Sequence, residues 1–144
     1  GIEELIKAYS IIKNSSYGNV WYKMNLVEII SPDFIFEDDR GLLAQITHES
    51  FGQINAVYTR KGSIRGNSHY HKTTKEAFFI ISGKVEVSLS KDDRSEKHIF
   101  KTGDMFIIPE NVRHTFNYKE DTYLVVLYTS CVEKEDGTKD ICSD

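Results

Sequence analysis

Residues 66–83 read GNSHYHKTTKEAFFIISG, and the reading of this stretch decides the fold. His69 and His71 stand two apart, so on a strand both imidazoles point to one face. Glu76 opens the apolar run EAFFII, and Gly83 closes it at a turn. A second stretch, GDMFIIPENVRH (residues 103–114), ends on another histidine, His114. Three imidazoles and one carboxylate suit a divalent first-row metal such as zinc, iron, manganese or nickel, and leave one or two positions open for water or substrate. The metal ligands read from the sequence are therefore His69, His71, Glu76 and His114. His48 and His98 belong to neither stretch and read as surface or strand residues.

Working outward, the chain is a succession of short strands. LLAQITHES and FGQINAVYTR alternate as strands do, and EAFFIISG with KVEVSLS reads as a strand pair turning at Ser82-Gly83. KDDRSEK is a charged hairpin turn, HIFKTGDMFIIPENVRHTFNY holds two more strands, and DTYLVVLYTSCV is a further, strongly apolar one. SPDFIFEDDRG reads as a turn-rich connection and RKGSIRGNS as a loop. Upstream, Ile2, Leu5, Ile6, Tyr9 and Ile12 share one face at helical spacing, which predicts a short helix over residues 2–13 ended by NSSYGN. The expectation is one all-β domain over residues 1–144. It has an N-terminal helix and lead-in (1–19), a β-barrel (20–130) and a polar, frayed tail (131–144).

Composition narrows the function classes. Of 144 residues, 40% are hydrophobic and 12% aromatic, enough for a core without disulfides. The net charge of -4 argues against nucleic acid as a partner. The two cysteines, Cys131 and Cys142, lack C-x-x-C spacing and read as free thiols in a reducing compartment. No apolar run approaches the ~20 residues that span a bilayer. GIEELIKAYSIIKN carries early acids and no cleavage site, so the sequence predicts no signal peptide, no membrane and a cytoplasmic location.

The two stretches have the patterns H-x-H-x4-E-x6-G and G-x5-P-x-N-x2-H, and this pair resembles the two motifs of the cupin family over roughly residues 41–128. The resemblance implies a small jelly-roll-like cupin barrel with the metal inside it. Asn111 stands where the second motif usually has glycine, and asparagine tolerates the same left-handed backbone. The asparagine often found near that motif's end is displaced to Asn117. Glu37–Gly41 (EDDRG), Gly52-Gln53 and Arg65 through Glu76 are similar to sugar-nucleotide cupins. These are the deoxythymidine-diphosphate-sugar 3,5-epimerases, the 3,4-ketoisomerases and the cupin domain of bifunctional capsular-sugar enzymes. Ser68 is a one-residue insertion relative to the last group.

That likeness implies an isomerase or epimerase acting on a nucleotide-linked 4-keto-6-deoxy sugar in surface polysaccharide biosynthesis, and a homodimer. The carbonyl acidifies its neighbouring C–H protons, so the reaction needs a base, an acid and a stabiliser of the enolate. His69, His71 and Tyr118 are the catalytic candidates, with Tyr70, Tyr123 and Tyr128 as further proton donors. Arg65, Arg40, Asn67 and Lys72 are the substrate-binding candidates, and Arg60 and Lys61 are further cations for the diphosphate. An imidazole whose lone pair is on a metal cannot also be the free base, so the roles of His69 and His71 stay open between ligand and base. A non-catalytic cupin that binds a small ligand or regulates, and an iron-dependent oxygenase, use the same pocket and stay open beside the isomerase.

Overall fold

A computed structural model describes residues 25–143. The helix expected over 2–13, the lead-in up to residue 24 and Asp144 lie outside the described residues. The described residues form eleven strands and no helix: β1 (Glu28–Ile30), β2 (Phe34–Asp38), β3 (Gly41–Gln45), β4 (Gln53–Thr59), β5 (Ile64–His69), β6 (Glu76–Ser82), β7 (Lys84–Lys91), β8 (Arg94–Lys101), β9 (Met105–Ile108), β10 (Arg113–Tyr118) and β11 (Thr122–Tyr128). One sheet runs β1-β9-β6-β11-β4, a second runs β5-β10-β7-β8, and β2-β3 is a separate ribbon. Every pairing is antiparallel.

The two larger sheets face each other across one core. On β7, Val85, Val87 and Leu89 are buried while Lys84, Glu86 and Ser88 are not. On β10, His114, Phe116 and Tyr118 alternate inward in the same way. This is the period of two expected when one face of a strand meets a core. Phe106 packs against Phe100 at 3.8 Å between ring centroids and against Phe78 at 5.0 Å, so stacked aromatics fill the interior. The strand β6 does not alternate: Glu76 through Ile80 are all buried. Its outer side is covered as well, because Ala77 and Phe79 join Met105 and Leu127 in a second cluster, against which Ala44, Ile46 and Phe51 pack. A strand covered on both faces reads as a continuous apolar run.

Four expectations are corrected. EAFFIISG and KVEVSLS are not a hairpin: β6 and β7 lie in different sheets, and Gly83 is the corner where the chain crosses between them. Gly83 has φ +117, and a Cβ there would sit 2.4 Å from Thr122 Oγ1, so only glycine fits. SPDFIFEDDRG is not merely a turn, since β2 lies within it and pairs with β3. Ile64 through Ser68 of RKGSIRGNS belong to strand β5 rather than to a loop. The tail is not frayed: Glu133 pairs with Lys139, and Cys142 pairs with Tyr70. Fraying was expected because the segment is polar, but its polar groups are satisfied by the chain it lies against. Cys131 and Cys142 are unbridged, as expected. Among the described residues no helix is long and apolar enough to cross a membrane.

Candidate metal centre and its cavity

The end of β5 carries His69, and the chain leaves the strand immediately before His71. Between Arg65 and His69 the backbone bulges. Gly66, Asn67 and Ser68 have φ of +89, +49 and +64 in succession. Arg65 pairs with Phe116 and His69 with His114, so four steps on β5 match two on β10. The inserted Ser68 is absorbed in this bulge, where its N–H donates to Thr115 Oγ1 at 2.8 Å, and His69 still lies opposite His114. Asn111 has φ +64, the left-handed turn its side chain tolerates, and its N–H donates to the His71 carbonyl at 2.7 Å. The second motif thus holds the first in place.

His69, His71 and His114 each offer a ring nitrogen, and these atoms lie within 4.8 Å of one another. Glu76, the first residue of β6, brings its carboxylate to the same point: Oε1 meets His71 Nε2 and lies 3.6 Å from His114 Nε2. Glu76 and His114 are each 3% exposed. Two of the imidazoles have their tautomer set from behind. A carbonyl can only accept, so His71 donates Nδ1–H to the Asp140 carbonyl and His114 donates Nδ1–H to the Val112 carbonyl at 3.2 Å. Both therefore present the Nε2 lone pair to Glu76, whose buried Oε1 has no hydrogen-bond partner. Acceptors converging on one point with no donor among them are what a cation site requires, so the donor set fits a divalent first-row metal.

Electrostatics follows from the same arrangement. Burial and the neighbouring imidazoles push the His69 pKa down to about 4. Burial also lowers that of His114. Burial opposes charging His71 too, but its contact with Glu76 outweighs this, and its pKa is raised.

Beside this cluster lies a cavity of about 310 Å³ lined by Asn55, Arg65, His69, Glu76, His114, Phe116, Tyr118 and Tyr128 among others. Arg65 Nε donates to Thr59 Oγ1 at 2.8 Å. The Thr59 hydroxyl also bonds Tyr118. Burial raises the Tyr118 pKa and pushes that of Tyr128 up to about 12, so both phenols stay protonated at neutral pH. Asn55 bonds the Tyr128 hydroxyl.

The remaining candidates lie elsewhere. Arg40 sits in the β2–β3 turn, 83% exposed and paired with Asp38 at 2.6 Å. Asn67 is an exposed residue of the bulge and Lys72 is exposed, and neither lines the cavity. Arg60 and Lys61 do not line it either. Tyr70 stacks under the Arg113 guanidinium at 4.7 Å, and Tyr123 stacks on Tyr58 at 4.6 Å on the outer side of the sheet. Asn117 alternates onto the outer side of β10. Sequence reasoning missed Asn55 and Asp140. The first had a signal, because Gln53, Asn55 and Thr59 form a polar face on QINAVYT while Ile54 and Tyr58 point outward. Asp140 had none: nothing in TKDICSD marks it.

The Cupin domain family pattern matches residues 57–130. Among curated proteins, Protein SchB of Streptomyces halstedii is 32% identical over 84 residues, covering 58% of each chain. Acireductone dioxygenase of Bacillus cytotoxicus is 34% identical over 65 residues, 44% of this chain and 38% of that one. This chain thus spans about half the length of the curated relatives it matches. Among solved structures, the sugar 3,4-ketoisomerase QdtA of Thermoanaerobacterium thermosaccharolyticum in complex with TDP superposes with a TM-score of 0.71 at 19% identity, covering 84% of this chain and 90% of that one. The dTDP-4-dehydrorhamnose 3,5-epimerase of Sulfolobus tokodaii gives 0.61 at 22% identity over 72% and 69%. With its two motifs on paired strands and more than half its length matched, this chain belongs to the cupin family.

Proposed function

We propose that this cupin is a metal-dependent isomerase or epimerase acting on a nucleotide-linked 4-keto-6-deoxy sugar. The observation that carries the reading is the convergence of His69, His71, His114 and Glu76, of which His69, Glu76 and His114 line a cavity that also presents two protonated tyrosines and an arginine. His69, His71, Glu76 and His114 hold the cation. When bound, such a cation supplies charge stabilisation to an oxygen that becomes negative during reaction. Tyr118, on the cavity wall beside Thr59 and Arg65, is a proton donor to the substrate, and Tyr128 is the second donor. At about 310 Å³ the cavity is at the small end for ligand sites, which suits a single sugar ring with the nucleotide outside it. Arg65 stands where it can meet the diphosphate or the sugar hydroxyls. Similarity of fold to a 3,4-ketoisomerase and a 3,5-epimerase supports the substrate class.

A second reading has its own support. The complete set of three histidines and one glutamate also suits ferrous iron, and part of the chain is similar to an acireductone dioxygenase. One experiment separates the two. The protein, its metal content measured, is incubated in deuterium oxide with TDP-4-keto-6-deoxyglucose and followed by proton NMR. Exchange next to the carbonyl well above the uncatalysed rate is expected. Background exchange, with oxygen uptake that depends on ferrous iron, would replace the first reading with the second.

A further inference from the structure

We propose that Asp140 is a positioning residue for His71, and that the C-terminal segment it belongs to is a strap that aims this imidazole into the candidate metal centre. The inference rests on the metal reading of that centre, and it starts from an acid that the reaction does not use. Asp140 is 6% exposed. Its carboxylate takes four donors: Lys72 N–H at 2.8 Å, Thr73 N–H at 3.0 Å, the Thr73 hydroxyl at 3.0 Å and the Thr74 hydroxyl at 2.8 Å. Those three residues are the turn that leads from His71 to Glu76. The main-chain carbonyl of the same aspartate takes His71 Nδ1–H.

One residue therefore does two things. Its side chain grips the turn just after His71, and its backbone sets which nitrogen of His71 carries the proton. The strap also holds the residue before His71, since Tyr70 and Cys142 exchange two backbone hydrogen bonds of 2.9 Å. His71 is thus bracketed on both sides by the same segment. The strap is closed on itself: Asp140 N–H donates to the Val132 carbonyl at 2.8 Å, and Lys134 N–H donates to the Thr138 carbonyl at 2.9 Å. An amide here would turn its own N–H groups toward the Lys72 or the Thr73 backbone N–H, neither of which has a lone pair to accept with. Groups that orient a metal-ligating imidazole from behind typically change metal affinity ~10–100-fold when lost.

The test uses the full chain, with Asp140→Asn as the variant and Asp136→Asn as its control. Asp136 caps the exposed tip of the strap, accepting from Thr138 N–H and the Thr138 hydroxyl, and does not touch the turn after His71. Cobalt(II) and zinc(II) affinities are measured by competition with a chromophoric chelator. Ring-nitrogen NMR of the metal-free protein above pH 9 reads the His71 tautomer. The expected result is a single Nδ1–H tautomer in the native protein, a mixture in Asp140→Asn, and metal binding roughly 10–100-fold weaker in that variant alone. Native affinity with an unchanged tautomer in Asp140→Asn would overturn the proposal. So would an Nε2–H tautomer in the native protein, a result that needs no variant to fold. If the native protein binds neither metal while the tautomer behaves as expected, the metal reading fails and the positioning role stands.

Discussion

Gly66 lies against the backbone of His114, and a Cβ added to Gly66 would stand 2.7 Å from the His114 carbonyl oxygen and 3.4 Å from its ring. The bulge that carries His69 and the strand that carries His114 are thereby pressed together, with glycine as the contact. Gly66→Ala must overcome both this approach and φ +89. The expected cost is at least the ~1–3 kcal/mol of a strained backbone position. Urea unfolding of the metal-free protein checks it, and a loss below about 0.5 kcal/mol would show that the bulge relaxes freely.

Phe106 is fully buried between Phe78 and Phe100 at the centre of the facing sheets. Phe106→Ala removes the ring from both stacks and leaves a cavity that the stiff sheets fill poorly. A loss of ~3–5 kcal/mol is expected, measured as a shift in the urea midpoint at constant slope.

Much of this arrangement was legible in the sequence. The spacing of His69, His71, Glu76 and His114 brought together four residues from two separate stretches, although His71 lies past the end of β5 and is aimed by the turn and the C-terminal segment rather than by a strand's period of two. Asn111 was read as a left-handed turn and adopts one. The crossing at Gly83 was not legible: two apolar runs joined by a glycine read as a hairpin, and only the packing of the sheets shows that they part. Arg40 was drawn to the site by its neighbours in sequence, yet its guanidinium is satisfied locally by Asp38. Asp140 was invisible because its four donors come from a turn 66–68 positions away in the chain.

Tyr118→Phe removes one oxygen from a cavity wall and leaves the ring in the core. If the phenol returns a proton to substrate, kcat on the keto sugar nucleotide falls on the order of 10²–10⁴-fold. Metal content, measured on the same preparation, stays at the native value. A fall in KM-linked affinity with kcat intact would instead place Tyr118 among groups that only bind.

Glu76→Gln keeps the shape of the buried side chain and removes the charge that the two Nε2 atoms face. Metal affinity should drop by more than the ~10–100-fold typical of losing an outer partner, since this oxygen belongs to the ligand set itself. The metal-free variant should fold but with a lower thermal midpoint, because the carboxylate that supports the His71 imidazole is gone. Zinc competition and thermal unfolding, run side by side, check both halves.

The imidazole cluster should also shape the pH dependence of the metal-free protein. His69 has its pKa depressed from 6.5 to about 4, and that of His114 is depressed as well. As pH falls from about 6.5 to about 4, the unfolded chain therefore takes up protons that the native state refuses, and stability drops. His71 has the opposite sign. Its pKa is raised above 6.5, so its contribution is fully present below that value and is lost as pH rises through the native one. The three together predict a stability maximum near pH 6.5, read as the thermal midpoint across pH 4 to 9. His71→Gln should flatten the alkaline side and, by removing a neighbouring charge from His69 and His114, also soften the acid side. With saturating zinc the alkaline side should turn upward, because protons compete with metal for the same nitrogens. A metal-free profile that rises steadily from pH 6.5 to 8.5 would mean that His71 is not held charged by Glu76.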